Sequence, residues 1–180
     1  NYYQILLDGG KTEQEALEIL LARSRDNART PMQWSVGTYA GFSDAEPWIP
    51  VSSRFQKKMT VEAQQKDEAS ILSFYKKLVA MRKRYPVIAK GEISFWETGT
   101  DMTLAYLRTL GEQNMAVLCN LSGKKQNVKT DSAWSSYQVL LQNYEGRGNV
   151  LEGEVYEMEP YEFLALGNSK MKGTGQIYEK

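Results

Sequence analysis

The sequence predicts a mainly β protein: helices and a long ordered loop, followed by an antiparallel β-sandwich of Greek-key type. Three observations carry the prediction. After Val87 the chain breaks into short runs rich in β-branched and aromatic residues, separated by glycine, asparagine, aspartate and serine. Before it, two segments repeat apolar residues at three and four positions, the spacing of one helix face. Between these segments, residues 24–59 lose all periodicity while keeping large aromatics.

Each element has a local reason. A short helical turn is predicted over Tyr2 to Leu7, ended by Gly9 and Gly10. Thr12, followed three residues later by Glu15, has the reciprocal spacing that satisfies two orphan amides, so a helix is predicted from Glu13 to Arg23. Its stripe of Ala16, Leu17, Leu20 and Leu21 requires a partner surface. The loop 24–59 holds Pro31, Pro47 and Pro50 with Trp34, Phe42, Trp48 and Phe55. It is expected to be ordered and held by its aromatic side chains, since disordered segments are poor in them. A second helix is predicted from Asp67 to Arg84, with acids at its positive end and Arg82, Lys83 and Arg84 at its negative end; Tyr85 and Pro86 stop it. Strands are predicted over 92–98, 102–110, 114–121, 126–130, 137–141, 150–152 and 161–166. No helix follows these strands to cover a parallel sheet. The organisation expected is therefore helices and loop over 1–86, sandwich over 87–167 and a loose polar tail over 168–180.

Composition excludes several function classes. The 180 residues hold 22 Lys+Arg and 22 Asp+Glu, so no global field favours nucleic acid. Histidine is absent, which removes Ser-His-Asp triads, Cys-His dyads and most zinc sites from this chain. Neither a metal nor a cofactor motif occurs. The single cysteine, Cys119, cannot form an internal disulfide, and its apolar run from Met115 predicts core packing. No apolar stretch reaches the roughly 20 residues needed to cross a bilayer, so no membrane partner is expected and the location expected is cytoplasmic.

Chemistry concentrates in the loop. From Arg23 to Trp34 the chain carries Arg23, Arg25 and Arg29 with Asp26, Asn27, Gln33 and Trp34. Guanidinium forks, amides and an indole suit sugar hydroxyls and sugar faces. On spacing alone, Arg25, Asp26 and Arg29 could equally pair with one another and brace the loop. The acidic pairs Asp67/Glu68, Glu152/Glu154 and Glu157/Glu159 are read as a helix cap and as solvated surface, not as a catalytic dyad. Trp96, Trp134, Tyr156 and Tyr161 could stack on sugars but are read as core or edge residues of the sandwich.

The run from Arg25 to Trp34, reading Arg-Asp-Asn-Ala-Arg-Thr-Pro-Met-Gln-Trp, resembles a signature of glycoside hydrolase family 13, the α-amylase family. The similarity is to its oligo-1,6-glucosidase, dextran glucosidase and α-glucosidase branch. It extends through Ala40 to Phe42, Glu46 to Pro50 and the Tyr-Pro-terminated helix, covering residues 1–166. Ser35 and Val36 depart from it, where relatives commonly place aspartate.

The resemblance implies the end of a (β/α)8 barrel followed by a β-sandwich. It also implies that the catalytic carboxylates lie upstream, outside this chain, so no catalytic residue is assigned here. It gives Arg25 the role of binding the hydroxyls of a terminal glucose in subsite −1, and leaves Asp26, Arg29, Gln33 and Trp34 as supporting groups. The function expected is the C-terminal part of a retaining α-glucosidase, inactive alone, acting on α-gluco-oligosaccharides through the missing barrel. Trehalose 6-phosphate is an alternative substrate within that class. A non-catalytic carbohydrate-binding sandwich is the alternative outside it. The helix stripes that absent strands should bury predict self-association of the isolated chain, or helices that are mobile or repositioned against the sandwich.

Overall fold

The computed structural model describes residues 1–52, 57–147, 151, 153–171 and 173. Two compact units comprise it, Asn1–Ser73 and Phe74–Lys180, and the division falls in the first turn of a helix.

In the first unit, helix α1 (Tyr2–Asp8) starts where the Asn1 side chain accepts the Tyr3 N–H at 2.9 Å. Gly10, at φ 84°, then reverses the chain, a conformation open to glycine without steric cost. Helix α2 (Glu13–Arg23) has the predicted bounds and the predicted cap. Thr12 Oγ1 accepts from Glu15 N at 3.2 Å, while Glu15 Oε2 accepts from Thr12 N at 2.9 Å. Only Ala16 of its apolar stripe is buried; Leu17 and Leu21 are exposed.

The second predicted helix is corrected. Its start is not Asp67: helix α3 (Val61–Gln65), capped by Thr60, comes first, and helix α4 (Ile71–Arg84) begins later. The residues between are taken by side-chain bonds that compete with helix formation. Asp67 Oδ1 accepts the Ala69 N–H, Gln64 Oε1 accepts the Leu72 N–H, and Ser70 Oγ accepts the Ser73 N–H. Asp67 thus closes a turn, and Ser70 supplies the hydroxyl at the start of α4. Proline stops α4 as predicted, and also opens helix α5 (Pro86–Lys90), where its missing N–H is harmless.

The second unit is built on strands β1 (Glu92–Trp96), β2 (Thr103–Leu110), β3 (Gln113–Asn120), β4 (Gln126–Lys129), β5 (Gln138–Gln142), β6 (Val155–Met158) and β7 (Phe163–Gly167). A five-stranded antiparallel sheet runs β1-β2-β3-β7-β5, and β4 pairs with β6 in a separate ribbon. β6 is not among the predicted strands; the predicted strand 150–152 lies outside the described residues apart from the buried Leu151. Of the expected tail, 168–171 and 173 are described and the rest lies outside the described residues.

The central strand β3 explains how the sheet is covered. Side chains alternate across a strand, so Ala116 and Leu118 enter one core with Val128 and Met158 of the ribbon, Trp134 and Leu166. Met115 and Val117 enter a second core on the opposite face with Val87, Met81, Tyr85 and Ile88. Burial on both faces is why residues 115–119 read as an unbroken apolar run. Cys119 shares the second face, half-buried, and burial pushes its thiol pKa up, in keeping with packing. The end of α4 packs with this second unit. Among the described residues, no helix is long and apolar enough to cross a membrane.

Candidate functional site

The loop after α2 is shaped at its origin by one serine. The Ser24 N–H closes α2 onto Leu21 O, and its hydroxyl accepts the Asp26 N–H at 3.2 Å, opening a 3₁₀ turn over Arg25–Ala28. Asn27 Nδ2 donates back to Leu21 O at 2.7 Å, tying the turn to the helix end. The three arginines are then distinguished by their partners. Arg23 donates to the Tyr2 hydroxyl at 3.2 Å. Arg29 pairs with Asp26 at 3.5 Å, both side chains about half exposed, a geometry that contributes roughly 0–1 kcal/mol. Arg25 is exposed and has no side-chain hydrogen bond or ion pair among the described residues. The mutual brace therefore forms between Asp26 and Arg29 and leaves Arg25 out.

Downstream, the loop is fixed by its main chain. Ala40 O accepts from both Trp34 N (2.8 Å) and Ser35 N (3.0 Å), while Gln33 O and Trp34 O accept from Val61 N and Glu62 N at the start of α3. Closing the loop requires Tyr39, Ala40 and Gly41 at φ 47°, 59° and 68°. A Cβ at Gly41 would stand 2.4 Å from Ser35 Oγ, so only glycine fits beside the serine. The expectation that aromatic side chains hold the loop is corrected: Trp34, Phe42 and Trp48 are exposed, Trp48 by 83%. Backbone hydrogen bonds hold it instead. Phe55 lies outside the described residues.

The acidic candidates do not form a dyad. Asp67 is spent on its turn, and Glu68 is exposed. Glu157 pairs with Lys125 at 2.9 Å, and the Lys125 ammonium beside it holds its carboxyl below the ordinary range. Glu159, with a quarter of its side chain exposed, pairs with Lys125 and Arg147, so it is not solvated surface. Glu154 is exposed, and Glu152 lies outside the described residues. Among the described residues, no three His, Cys, Asp or Glu gather as metal ligands.

Of the four aromatics, Trp134 is buried and packs against Trp96 with centroids 5.1 Å apart, as predicted for core. Tyr156 is half-buried and donates to Glu162. Tyr161 departs from the reading as core or strand edge: it is exposed and lies outside β7. Glu162 itself was not a sequence candidate. It is 1% exposed, accepts from Tyr156 Oη at 2.8 Å and Glu159 N at 2.6 Å, and lies 3.4 Å from Arg147 Nε. The available signal was a lone carboxylate heading a strand whose other residues are apolar.

Residues 2–91 match the family described as alpha amylase, catalytic domain. The trehalose-6-phosphate hydrolase of Escherichia coli (strain K12) is 35% identical over 81% of this chain and 26% of its own length. The oligo-1,6-glucosidase of Parageobacillus thermoglucosidasius is 33% identical over 80% of this chain and 26% of its own. The crystal structure of Bacillus licheniformis trehalose-6-phosphate hydrolase superposes with a TM-score of 0.81 at 33% identity, covering 93% of this chain and 30% of that one. The chain thus spans between a quarter and a third of the length of these relatives.

Proposed function

This chain belongs to glycoside hydrolase family 13, the α-amylase family, and from that premise we propose that it is the C-terminal part of a retaining α-glucosidase. In this reading residues 1–86 end the catalytic (β/α)8 barrel and 87–167 form a Greek-key sandwich. The enzyme hydrolyses terminal α-glucosidic bonds of oligosaccharides in the cytoplasm. Two carboxylates supplied by the rest of the enzyme act as nucleophile and acid, about 5 to 5.5 Å apart.

This chain supplies Arg25. The single observation that carries the assignment is its lack of a side-chain partner among the described residues, in a turn whose capping arginine, Arg29, is paired. A desolvated, charged hydrogen bond to a glucose hydroxyl contributes about 1.5 to 3 kcal/mol. Exposed Leu17, Leu21 and Ile71 are the faces that the rest of the barrel would cover, and in the isolated chain they would drive self-association. Trehalose 6-phosphate is retained as a second substrate, favoured by the 35% identity to a hydrolase of that compound.

Arg25→Ala in the intact enzyme, assayed on isomaltose, maltose and trehalose 6-phosphate, is expected to lower kcat/KM by roughly 10- to 100-fold on the natural substrate. Unchanged kcat/KM on all three would refute the role of Arg25. Turnover by the 180-residue chain alone would refute the division of labour.

A further inference from the structure

Among the described residues, three other than glycine adopt positive φ, and one of them is exposed. Ala40 is buried and Tyr39 half-buried, so their neighbours offset the strain. Tyr161, at φ 56°, is 65% exposed. It occupies the third position of a four-residue turn in which Glu162 N donates to Glu159 O at 3.1 Å. With Pro160 second and positive φ third, this is a type II turn, whose third position favours glycine. The turn is fastened from outside: Tyr161 N donates to Ser122 O, Tyr161 O accepts from Asn143 Nδ2, and Pro160 O accepts from Tyr144 Oη. None of these bonds uses the Tyr161 side chain. A strained residue held by surroundings that do not need its side chain points to a use for that side chain.

The ring is also seated. Gly123 does not adopt positive φ, so turn geometry does not require glycine there. What its missing Cβ leaves room for is the phenol: a Cβ would lie 3.3 Å from Tyr161 Oη, 3.6 Å from Cε2 and 3.7 Å from Cζ. The hydroxyl end of the ring therefore rests on the Gly123 backbone while much of the ring stays open to solvent. Ser122 and the exposed Lys124 flank it, so the rim is polar.

We propose that Tyr161, resting on Gly123, is a stacking platform for a glucosyl unit of an α-glucan. A flat ring with a polar rim suits the apolar face of a pyranose bordered by hydroxyls, and an exposed aromatic fixed in place binds without losing rotamer freedom. The choice of a glucan as ligand rests on the substrate class proposed above.

The test is titration of the 180-residue chain with isomaltotriose and maltoheptaose, alongside thermal unfolding, for wild type, Tyr161→Gly, Tyr161→Phe and Arg25→Ala. Tyr161→Gly is expected to weaken binding roughly tenfold while its Tm stays at or above the wild-type value, because glycine relieves the left-handed strain. Tyr161→Phe keeps the ring and should keep the affinity; Arg25→Ala separates this site from the Arg25 loop. The proposal is overturned if the wild type binds neither sugar at millimolar concentration, or if Tyr161→Gly lowers Tm. It is likewise overturned if Tyr161→Gly abolishes self-association instead of sugar binding, which would make the ring a protein contact. Loss of binding in Arg25→Ala alone would assign the sugar to the Arg25 loop and overturn the platform while sparing that loop's role.

Discussion

Glu162→Ala tests whether a buried carboxylate holds the β6–β7 turn. The side chain accepts from Tyr156 Oη and Glu159 N and faces Arg147, whose guanidinium is only a quarter exposed and lies 4.9 Å from the centre of the Tyr156 ring. Truncation strips two donors of their acceptor, at about 1 to 3 kcal/mol each. It also removes one of the carboxylates around Arg147, while the Glu157 carbonyl and the Glu159 carboxylate keep it partnered. The sum is about 2 to 6 kcal/mol. Glu162→Gln retains shape and one acceptor oxygen and is expected to cost about half as much. Urea unfolding of the β unit, followed by tryptophan fluorescence, should show a lower midpoint at unchanged slope. A Glu162→Ala protein within about 1 kcal/mol of wild type would mean that the network is geometric coincidence.

Trp134→Ala removes the largest side chain of the core shared by the sheet and the β4–β6 ribbon, and should destabilise by about 3 to 5 kcal/mol in the same unfolding measurement. The capping box predicts a pH dependence. The Thr12 amide, then Lys11 and the Thr12 hydroxyl, hold the Glu15 carboxyl below its ordinary value of 4.5. A lowered acid contributes stability that is full above its unfolded value and lost as pH falls through the folded one. Circular dichroism should therefore show wild-type helix content falling below about pH 4.5, a loss that Glu15→Gln lacks because its cap is already weakened.

What could be read from the sequence follows the range of the interactions. The start of α2 was legible because the Thr12–Glu15 exchange lies within four residues. The same locality explains the error at α4: Asp67 and Glu68 look like a helix start, but Gln64 and Ser70 reach across the intervening turn and move the start to Ile71. Most strands were legible from composition, whereas β6, with its Val-Tyr-Glu-Met, depends on register against β4, where Val128 pairs with Tyr156, 28 positions later. Arg25 was legible as chemistry through a local motif. Its lack of a partner among the described residues was not, because spacing alone does not say which arginine Asp26 takes, and the 3₁₀ turn over Arg25–Ala28 brings Arg29 to it.

The loop after α2 and the turn before β7 divide the work between main chain and side chains in the same way. In the loop after α2, Ala40 O, Gln33 O and Trp34 O fix the path through backbone bonds, leaving Arg25, Trp34, Phe42 and Trp48 with their side chains exposed. At Pro160 and Tyr161, main-chain bonds and the Asn143 and Tyr144 side chains fix the path and leave the phenol exposed. Elsewhere the reverse holds: Glu162, Arg147 and Tyr156 are consumed in holding the fold and have nothing left to offer a ligand. A side chain that is dispensable to a well-fastened backbone can be selected for what it touches outside the chain, and that condition is met at both places where a sugar contact is proposed.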